Sequence, residues 1–329
     1  MKKSNAAITG VSHYVPEKRL TNADLEKIVD TSEEWIRTRT GILERRILDD
    51  GLGPSFMATR ALEKLLDQKD LDPKEIDLII VATVTPDMMY PATACLVQNN
   101  IGAANAWGFD LSAACCGFLY ALVTGSQFVE SGAHKKVVVI GADKMSSVVD
   151  YTDRSTCVLF GDGAGAVLLE PAEDSEGILD FILKVDGSGG EYLCQPAGGS
   201  LRPASHETVD AKLHYVKQDG ARVLKFASSS MAAVSAELLE RNGLSGEDIA
   251  LLVPHQANKR IIDATVRRMK LPTDRVIINI DRFANTTSGT IPIALDEAVE
   301  QERIKTGDYV VLASAGAGYT WGSALLKWV

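Results

Sequence analysis

Short apolar runs rich in β-branched residues alternate with helical stretches along most of this chain. The runs are Leu78–Thr83 (LIIVAT), Val137–Gly141 (VVVIG), Ala250–Val253 (ALLV) and Tyr309–Leu312 (YVVL). The helical stretches are Gly53–Lys69, Cys116–Glu130, Ser228–Asn242, Lys259–Lys270 and Ile291–Glu302. Continuous apolar runs of this length are typical of parallel strands covered on both faces. The alternation therefore predicts an α/β fold built in layers.

Two distant segments of the chain resemble each other. Leu71–Val81 (LDPKEIDLIIV) and Leu244–Val253 (LSGEDIALLV) both run from a turn through an acidic helix start into an apolar strand. Their separation, about half the chain, favours two similar halves, although such helix–strand joints recur in any α/β protein. Gly187–Gly220 interrupts the alternation with GSGG, PAGGS and RPASH, which predicts a long loop or flap.

Composition excludes several classes of protein. The 329 residues, 46% of them hydrophobic, are enough to bury a large core, and a formal net charge of −10 disfavours nonspecific nucleic-acid binding. No apolar run reaches the roughly 20 residues that cross a bilayer. The N-terminal segment is expected to be a first strand and not a signal peptide, so a cytoplasmic protein is expected. Five cysteines without a CxxC pair, and scattered histidines, favour neither a disulfide framework nor a metal site.

Three segments carry candidate catalytic groups, and each also has a purely structural interpretation. Cys115 in FDLSAACCGF precedes an apolar helix, whose positive end stabilises a thiolate; buried cysteines are often inert. His255 in PHQANKRI follows the strand ALLV, where open α/β sheets place active groups; it could equally be a structural histidine. Asn285 in FANTTSGTIP lies in a turn before a helix, where asparagine is often a cap.

Two glycine-rich segments complete the pattern. In SAGAGYTWG (314–322), backbone N–H groups can approach a ligand and form an oxyanion hole. GDGAGA (161–166) lacks the spacing of a dinucleotide-binding loop and the lysine of a phosphate-binding loop, so a close-packed turn is expected there. A cysteine, a histidine and an asparagine at strand ends, with a glycine-rich loop, can assemble into a thiol acyl-transfer site.

At these motifs the chain resembles the β-ketoacyl-acyl-carrier-protein synthase III family of type II fatty acid synthesis, over essentially its whole length. The motifs are TSEEWIRTRTGILERR (31–46), YPATACLVQ (90–98), FDLSAACCGF (109–118), DRSTCVLFGDGAGAV (153–167), PHQANKRI (254–261), ANTTSGTIP (284–292) and GYTWG (318–322). The resemblance implies a thiolase-like αβαβα fold of two similar halves, 1–172 and 173–329, the second including the flap 187–220.

The resemblance also implies a catalytic triad of Cys115, His255 and Asn285, with Cys116 as a packing residue. Cys115 would accept an acyl group from acyl-CoA, with an oxyanion hole from the backbone N–H groups of Cys115 and Ala317. Malonyl-acyl-carrier protein would then lose CO2, and His255 and Asn285 would donate hydrogen bonds to the enolate oxygen. Attack of the enolate on acyl-Cys115 would give 3-ketoacyl-carrier protein without a metal or redox cofactor.

Substrate and partner contacts follow from the same resemblance. The residues implied at the CoA and pantetheine entrance are Thr31, Trp35, Arg39, Arg154 and Asn258; Trp35 could instead simply anchor a helix. Tyr90 matches an aromatic gate on the acyl pocket that is contributed across a two-fold homodimer. Arg260, Arg267 and Arg268 share one helix face, which could dock an acidic carrier protein or merely be solvated.

Several residues depart from the family pattern and leave rival functions open. Ala315 and Ala317 replace an aromatic residue and a glycine, Ala284 replaces a glycine, and Ala221 replaces an asparagine near the pantetheine. The rivals are a specialised paralogue in secondary metabolism, a non-decarboxylating acyltransferase, and an inactive scaffold, which would be expected to lose Cys115 or His255. A 3-hydroxy-3-methylglutaryl-CoA synthase-like enzyme would need a glutamate acid that the sequence does not offer convincingly.

Overall fold

The computed structural model describes residues 5–173 and 175–329. Its strands are β1 (Asn5–Tyr14), β2 (Arg19–Thr21), β3 (Glu44–Arg46), β4 (Leu78–Ala82), β5 (Trp107–Leu111), β6 (Val137–Lys144), β7 (Asp162–Ala172), β8 (Gly177–Val185), β9 (Leu193–Cys194), β10 (Lys217–Gln218), β11 (Ile249–Pro254), β12 (Tyr309–Gly316) and β13 (Thr320–Lys327). Its α-helices are α1 (Asn22–Leu25), α2 (Glu33–Thr40), α3 (Pro54–Lys69), α4 (Thr93–Ile101), α5 (Gly117–Glu130), α6 (Arg154–Cys157), α7 (His206–Asp210), α8 (Gly220–Arg241), α9 (Lys259–Met269), α10 (Ile280–Phe283) and α11 (Thr290–Glu300).

Two mixed sheets with corresponding strand orders organise these elements. The first runs β1-β7-β6-β4-β5 and the second runs β8-β13-β12-β11. In the first sheet β6 is parallel to β4, and in the second β12 is parallel to β11. On the other side of β6 and β12, every pair of neighbours out to β1 and β8 is antiparallel. A parallel bridge from Leu252 to Val276 occupies the place in the second sheet that β5 has in the first. The correspondence supports the interpretation of the chain as two similar halves, while the boundary at 172/173 stays a prediction.

The sheets and helices stack in five layers. Alternate side chains of β6 face opposite layers: Val137 and Val139 pack in the central cluster with α5 and α11, and Val138 and Ile140 pack with α3 and α4. The second sheet turns Leu251 toward the same central cluster and Leu252 toward α8 and α9. The resulting order of α3/α4, first sheet, α5/α11, second sheet and α8/α9 confirms the expected αβαβα fold. Strand runs without polar residues are therefore buried on both faces.

Two expectations for local structure need correction. The helix expected from Ser228 begins at Gly220, where the Asp219 side chain caps it by accepting a hydrogen bond from the Arg222 N–H. GDGAGA is not a turn, because Asp162–Ala172 is strand β7. Its close packing is correct: a Cβ added at Gly165 would lie 2.7 Å from Pro292 Cβ at the start of α11. No helix in the described part of the chain is long and apolar enough to cross a membrane.

Candidate active site

Cys115 lies in the short helical turn Ala114–Cys116, between the end of β5 and the start of α5. Its side chain is buried, and its carbonyl oxygen accepts a 2.8 Å hydrogen bond from Ser314 Oγ on β12. Gly316, also on β12, passes so close that a Cβ there would lie 2.7 Å from Cys115 Cβ. Both halves of the chain therefore fix the position of this cysteine.

His255 follows β11 directly, and its backbone N–H continues the sheet by donating to Ala313 O at 2.8 Å. The imidazole is 1% exposed. Its Nδ1 lies 2.6 Å from Thr290 Oγ1, whereas Nε2 is buried without a hydrogen-bond partner among the described residues. One ring nitrogen is therefore held by the protein and the other is left for a ligand.

Asn285 belongs to the loop that leads into α11. Its backbone N–H donates to Leu159 O, and its backbone carbonyl accepts from Gly161 N–H, both at 3.0 Å. The side-chain Oδ1 accepts a 2.8 Å hydrogen bond from Thr287 N–H. Because a backbone N–H can only donate, this bond identifies Oδ1 and leaves the Nδ2 amide free to donate to a ligand.

Cys115 lines two adjacent cavities. The first, about 170 Å³, is also lined by His255, Asn285 and Asn258, and so joins all three predicted triad residues. The second, about 160 Å³, has a mostly apolar wall that includes Val84, Leu193 and other residues. The remaining residues of this second wall are Thr85, Ala114, Met145, Val148, Phe160, Cys194, Gln195, Val216, Thr287 and Ala317. Cys115 therefore lies between the two cavities. An acyl chain on its sulfur can occupy the apolar cavity, while a second substrate enters the cavity that contains His255 and Asn285.

Burial controls the protonation of the site. It raises the pKa of the Cys115 thiol strongly, with smaller contributions from Cys116 and Asp143, while the backbone N–H groups of Cys115 and Ala317 oppose the rise. Burial also lowers the pKa of His255 to about 3, so the imidazole is neutral at physiological pH. In the unliganded site, burial of Cys115 therefore opposes the stabilisation of a thiolate that is expected from the helix end.

The second cysteine of the doublet points elsewhere. Burial raises the pKa of Cys116 to about 11, and the nearby hydroxyl groups of Ser314 and Thr320 oppose the rise. Cys116 lines neither of the two cavities. This geometry supports its interpretation as a packing residue.

The predicted oxyanion hole has its two donors near the nucleophile. The backbone N–H groups of Cys115 and Ala317 both lower the pKa of the Cys115 thiol, so both lie close to the sulfur. Ala317 does not have a positive φ, so an alanine fits there without strain. Ala315 lines the first cavity, where its small side chain leaves room, and Ala221 is exposed near the start of α8.

The five predicted CoA and pantetheine residues lie on or against helix α2. Thr31 precedes the helix, and Trp35 and Arg39 lie on it. The Arg154 guanidinium lies 5.2 Å from the Trp35 ring centroid, and Asn258 Nδ2 donates to Arg39 O at 3.1 Å. Since Asn258 also lines the first cavity, its contact with Arg39 joins helix α2 to the cavity that holds the triad.

The remaining predicted residues do not reach the cavities within this chain. Tyr90 is 85% exposed and lines neither cavity. Arg260, Arg267 and Arg268 are exposed on α9, and among the described residues they form no ion pair. Arg260 lies beside α2, with its guanidinium 3.5 Å from Thr38 O.

One cluster elsewhere has donors suited to a metal. Ligand atoms of His13, Asp296 and Glu300 lie within 4.8 Å of one another. Lys64 Nζ already donates to Asp296 at 3.1 Å and to Glu300 at 2.9 Å. The ammonium group supplies the positive charge there, so this cluster is a partly exposed ion-pair network between helices α3 and α11.

Two residues that support the site were missed by the sequence reasoning. Thr290, within the motif ANTTSGTIP, contacts His255. Asp143 is fully buried and accepts hydrogen bonds from Thr83, Thr85 and Ser288, which ties β4 and β6 to the Asn285 loop. Only Thr290 lay in a motif that had been singled out; Asp143 sits at the end of a strand without a distinguishing pattern.

Comparisons with known proteins agree with this geometry. The profile of 3-oxoacyl-[acyl-carrier-protein (ACP)] synthase III matches residues 109–187, and that of its C-terminal part matches residues 239–328. The β-ketoacyl-[acyl-carrier-protein] synthase III of Koribacter versatilis is 54% identical over 98% of both chains, and that of Chlorobium phaeovibrioides is 58% identical over 98% of this chain and 99% of the relative. The crystal structure of 3-oxoacyl-[acyl-carrier-protein] synthase III from Aquifex aeolicus is similar with a TM-score of 0.90 and 45% identity, covering 98% of this chain and 100% of that one.

Proposed function

Since this chain belongs to the 3-oxoacyl-[acyl-carrier-protein] synthase III family, we propose that it joins an acyl-CoA primer to malonyl-acyl-carrier protein in a decarboxylative Claisen condensation. The product is 3-ketoacyl-acyl-carrier protein, the first elongated intermediate of type II fatty acid synthesis. The observation that carries the proposal is the position of Cys115, which lines both the cavity with His255 and Asn285 and the apolar cavity.

The first half-reaction transfers the primer. Cys115 Sγ attacks the thioester carbonyl, the C–S bond to CoA breaks, and the thiol proton leaves with CoA. The backbone N–H groups of Cys115 and Ala317 stabilise the tetrahedral oxyanion. The acyl chain lies in the apolar cavity, where Val84, Met145 and other side chains keep water from the thioester.

The second half-reaction forms the carbon–carbon bond. Malonyl-acyl-carrier protein occupies the cavity that CoA has left, and loss of CO2 leaves an enolate on the carrier thioester. His255 and Asn285 Nδ2 donate hydrogen bonds to the enolate oxygen. The enolate carbon attacks acyl-Cys115, and the departing Cys115 thiolate takes up a proton. Release of CO2 and cleavage of the acyl thioester drive the reaction, so the proposal requires no metal or redox cofactor.

The entrance residues supply the binding of CoA and carrier. Trp35 offers an aromatic face, partly exposed, to the adenine, and Arg39 and Arg154 offer charge to the phosphates. Thr31 and Asn258 lie along the same path. Arg260, Arg267 and Arg268 give an acidic carrier protein a local basic surface on a chain whose net charge is −10.

We place this enzyme in the cytoplasm as a homodimer. All five cysteines are unpaired thiols, which suits a reducing compartment. Met89 and Tyr90 are 78% and 85% exposed, and β5 is an edge strand with Trp107 47% exposed. Exposed apolar side chains beside an unpaired strand edge favour an interface between two copies of the chain.

Intact-protein mass spectrometry tests the proposal directly. The enzyme is mixed with acetyl-, isobutyryl- or hexanoyl-CoA, mapped by peptide digestion, and then mixed with malonyl-acyl-carrier protein. We expect one acyl adduct on Cys115, absent from Cys115→Ser, which malonyl-acyl-carrier protein discharges with release of CO2. An adduct on Cys116, or none, would contradict the nucleophile. An adduct that malonyl-acyl-carrier protein does not discharge would identify a non-decarboxylating acyltransferase instead.

A further inference from the structure

The hydroxyl group of Thr290 contacts the inner nitrogen of the His255 ring. Thr290 is the first residue of α11, and its Oγ1 lies 2.6 Å from His255 Nδ1 and 3.1 Å from Thr287 O. Both side chains are buried. The neutral imidazole carries one proton, so the partner of Nδ1 decides whether Nε2 donates or accepts a hydrogen bond.

Thr290 has one hydroxyl proton and two acceptors within reach. If the proton points to Thr287 O, Thr290 Oγ1 accepts from Nδ1–H, and Nε2 presents a lone pair to the cavity. If the proton points to Nδ1, the ring proton resides on Nε2. The two arrangements would give His255 opposite hydrogen-bonding roles at Cys115.

The contact lengths favour the second arrangement. Hydroxyl donors make shorter contacts, around 2.7–2.8 Å, than N–H donors, around 2.9–3.0 Å. The 2.6 Å contact to Nδ1 therefore fits O–H···N, and the 3.1 Å contact to Thr287 O is long for a hydroxyl donor. Among the described residues Nε2 has no partner, so in either arrangement its hydrogen bond is left to a ligand.

We propose that Thr290 is a positioning residue that holds His255 in the Nε2–H tautomer, so that the ring donates to the enolate oxygen beside Asn285 Nδ2. This inference rests on the proposed condensation. Thr287 N–H orients the Asn285 amide in the same way, by occupying Oδ1. The loop before α11 and the first residue of that helix thus orient both donors, and an acceptor lone pair at Nε2 would repel the developing oxyanion.

The variants Thr290→Val and Thr290→Ser separate tautomer control from packing. Valine keeps the shape but removes the hydroxyl, whereas serine restores it. Thr265→Val is the matched control, because Thr265 is also buried in a helix and, among the described residues, its hydroxyl bonds Ile261 O alone, within α9. We expect Thr290→Val to lower the rate of malonyl-acyl-carrier-protein decarboxylation about 10- to 100-fold, with the rate of Cys115 acylation nearly unchanged. Thr290→Ser and Thr265→Val should keep both rates.

Nitrogen NMR of ¹⁵N-histidine-labelled enzyme reads the tautomer without any turnover. His255→Gln assigns the resonances of His255 among the five histidines. A protonated, pyrrole-type Nε2 in the wild type that becomes mixed in Thr290→Val supports the inference. A pyridine-type Nε2 in the wild type, or equal loss of both half-reactions in Thr290→Val, overturns it. Failure of the wild type itself to decarboxylate malonyl-acyl-carrier protein would instead refute the proposed function, and the NMR result would still decide the tautomer.

Discussion

At the scale of single residues, the site contains polar groups that are buried before any substrate arrives. His255 is 1% exposed and Asn285 is 7% exposed. Each uses one side-chain atom to bond the protein and leaves a second polar atom for the ligand. Burial of a group with an unused donor costs stability, and preorganised donors of this kind are what electrostatic catalysis requires.

The buried imidazole predicts a specific dependence of stability on pH. The pKa of His255 is about 3 in the folded protein, whereas a histidine in an unfolded chain titrates near 6.5. As the pH falls through 6.5, His255 binds a proton in the unfolded chain but stays neutral in the folded protein, so protonation favours unfolding. Between pH 7.5 and pH 5 this residue should remove about 2 kcal/mol of unfolding free energy.

Urea unfolding of the wild type and His255→Gln at pH 7.5 and pH 5 measures this contribution. Other groups titrate in both proteins, so the difference between the two pH-dependent losses isolates His255. We expect the wild type to lose about 2 kcal/mol more than the variant. Equal losses would show that His255 titrates normally in the folded protein.

Backbone strain at Ala284 gives a second prediction. This residue, just before Asn285, has φ 56° and ψ −153°, a conformation that belongs almost entirely to glycine. Ala284→Gly should relieve strain that offsets the usual cost of glycine, so the variant should be at least as stable as the wild type. Ala298→Gly, at a buried position inside α11, should lose about 1 kcal/mol or more. Thermal unfolding compares both variants with the wild type, and a melting temperature of Ala284→Gly as far below the wild type as that of Ala298→Gly would contradict strain at Ala284.

At the scale of elements, the sequence predicts the strands, the helices and the catalytic candidates at their junctions, but not how these junctions come together. The continuous apolar strands and the helices after them were recognisable because burial on both faces leaves an unbroken apolar run. Cys115, His255 and Asn285 were recognisable because they stand where such elements begin or end. Their convergence in one cavity depends on the stacking of two sheets, and no local pattern encodes that. It could be expected only from the resemblance to a family.

The start of α8 and the extent of β12 show why other boundaries were missed. The sequence predicts this helix from Ser228 onward, and Gly220 has the lowest helix propensity of any residue except proline. The Asp219 cap and packing against the second sheet override that preference. Similarly, Ser314–Gly316 belong to β12 and not to a loop, because the antiparallel partner β13 continues the ladder to Thr320.

Because β12 passes close to Cys115, adding one methyl group at Gly316 should slow the acylation of Cys115. A Cβ at Gly316 would lie 2.7 Å from Cys115 Cβ and 3.0 Å from its backbone nitrogen, so Gly316→Ala must displace the nucleophile. We expect at least a roughly 10-fold slower acylation of Cys115, since displacements of about 1 Å are costly in catalysis. Gly199→Ala is the control, because no atom of the described residues lies within 4 Å of its Cβ position. Acylation is followed by intact mass, and an unchanged rate in Gly316→Ala would show that Cys115 tolerates a shift.

At the scale of the whole molecule, the two halves divide the chemistry. The first sheet delivers Cys115 through β5, and the second delivers His255 through β11, while α11 and its preceding loop lie between the sheets. Neither half holds a complete site. The apolar cavity is likewise formed jointly, by Met145 and Val148 from the first half and Leu193 and Val216 from the second.

The exposure of Tyr90 leads to a prediction about a second chain. Tyr90 is 85% exposed and lines neither cavity at Cys115, so we expect the proposed gate to act on the pocket of a partner subunit. We expect sedimentation to give a mass of about 71 kDa, twice the 35.4 kDa of the chain. Tyr90→Ala should keep that mass, since an exposed side chain contributes little to folding, and should shift acylation from acetyl-CoA toward hexanoyl-CoA when the two compete.

Mixed dimers decide whether Tyr90 acts across the interface. One subunit carries Tyr90→Ala with an intact Cys115, and the other carries Cys115→Ser with an intact Tyr90, each with its own affinity tag so that heterodimers can be purified. The only acylated cysteine then faces the partner's native tyrosine. If Tyr90 gates the partner's pocket, this heterodimer should recover the primer preference of the wild type, because the altered side chain faces an inert site. A heterodimer that keeps the preference of Tyr90→Ala would place the tyrosine's action within its own chain and would contradict the shared pocket.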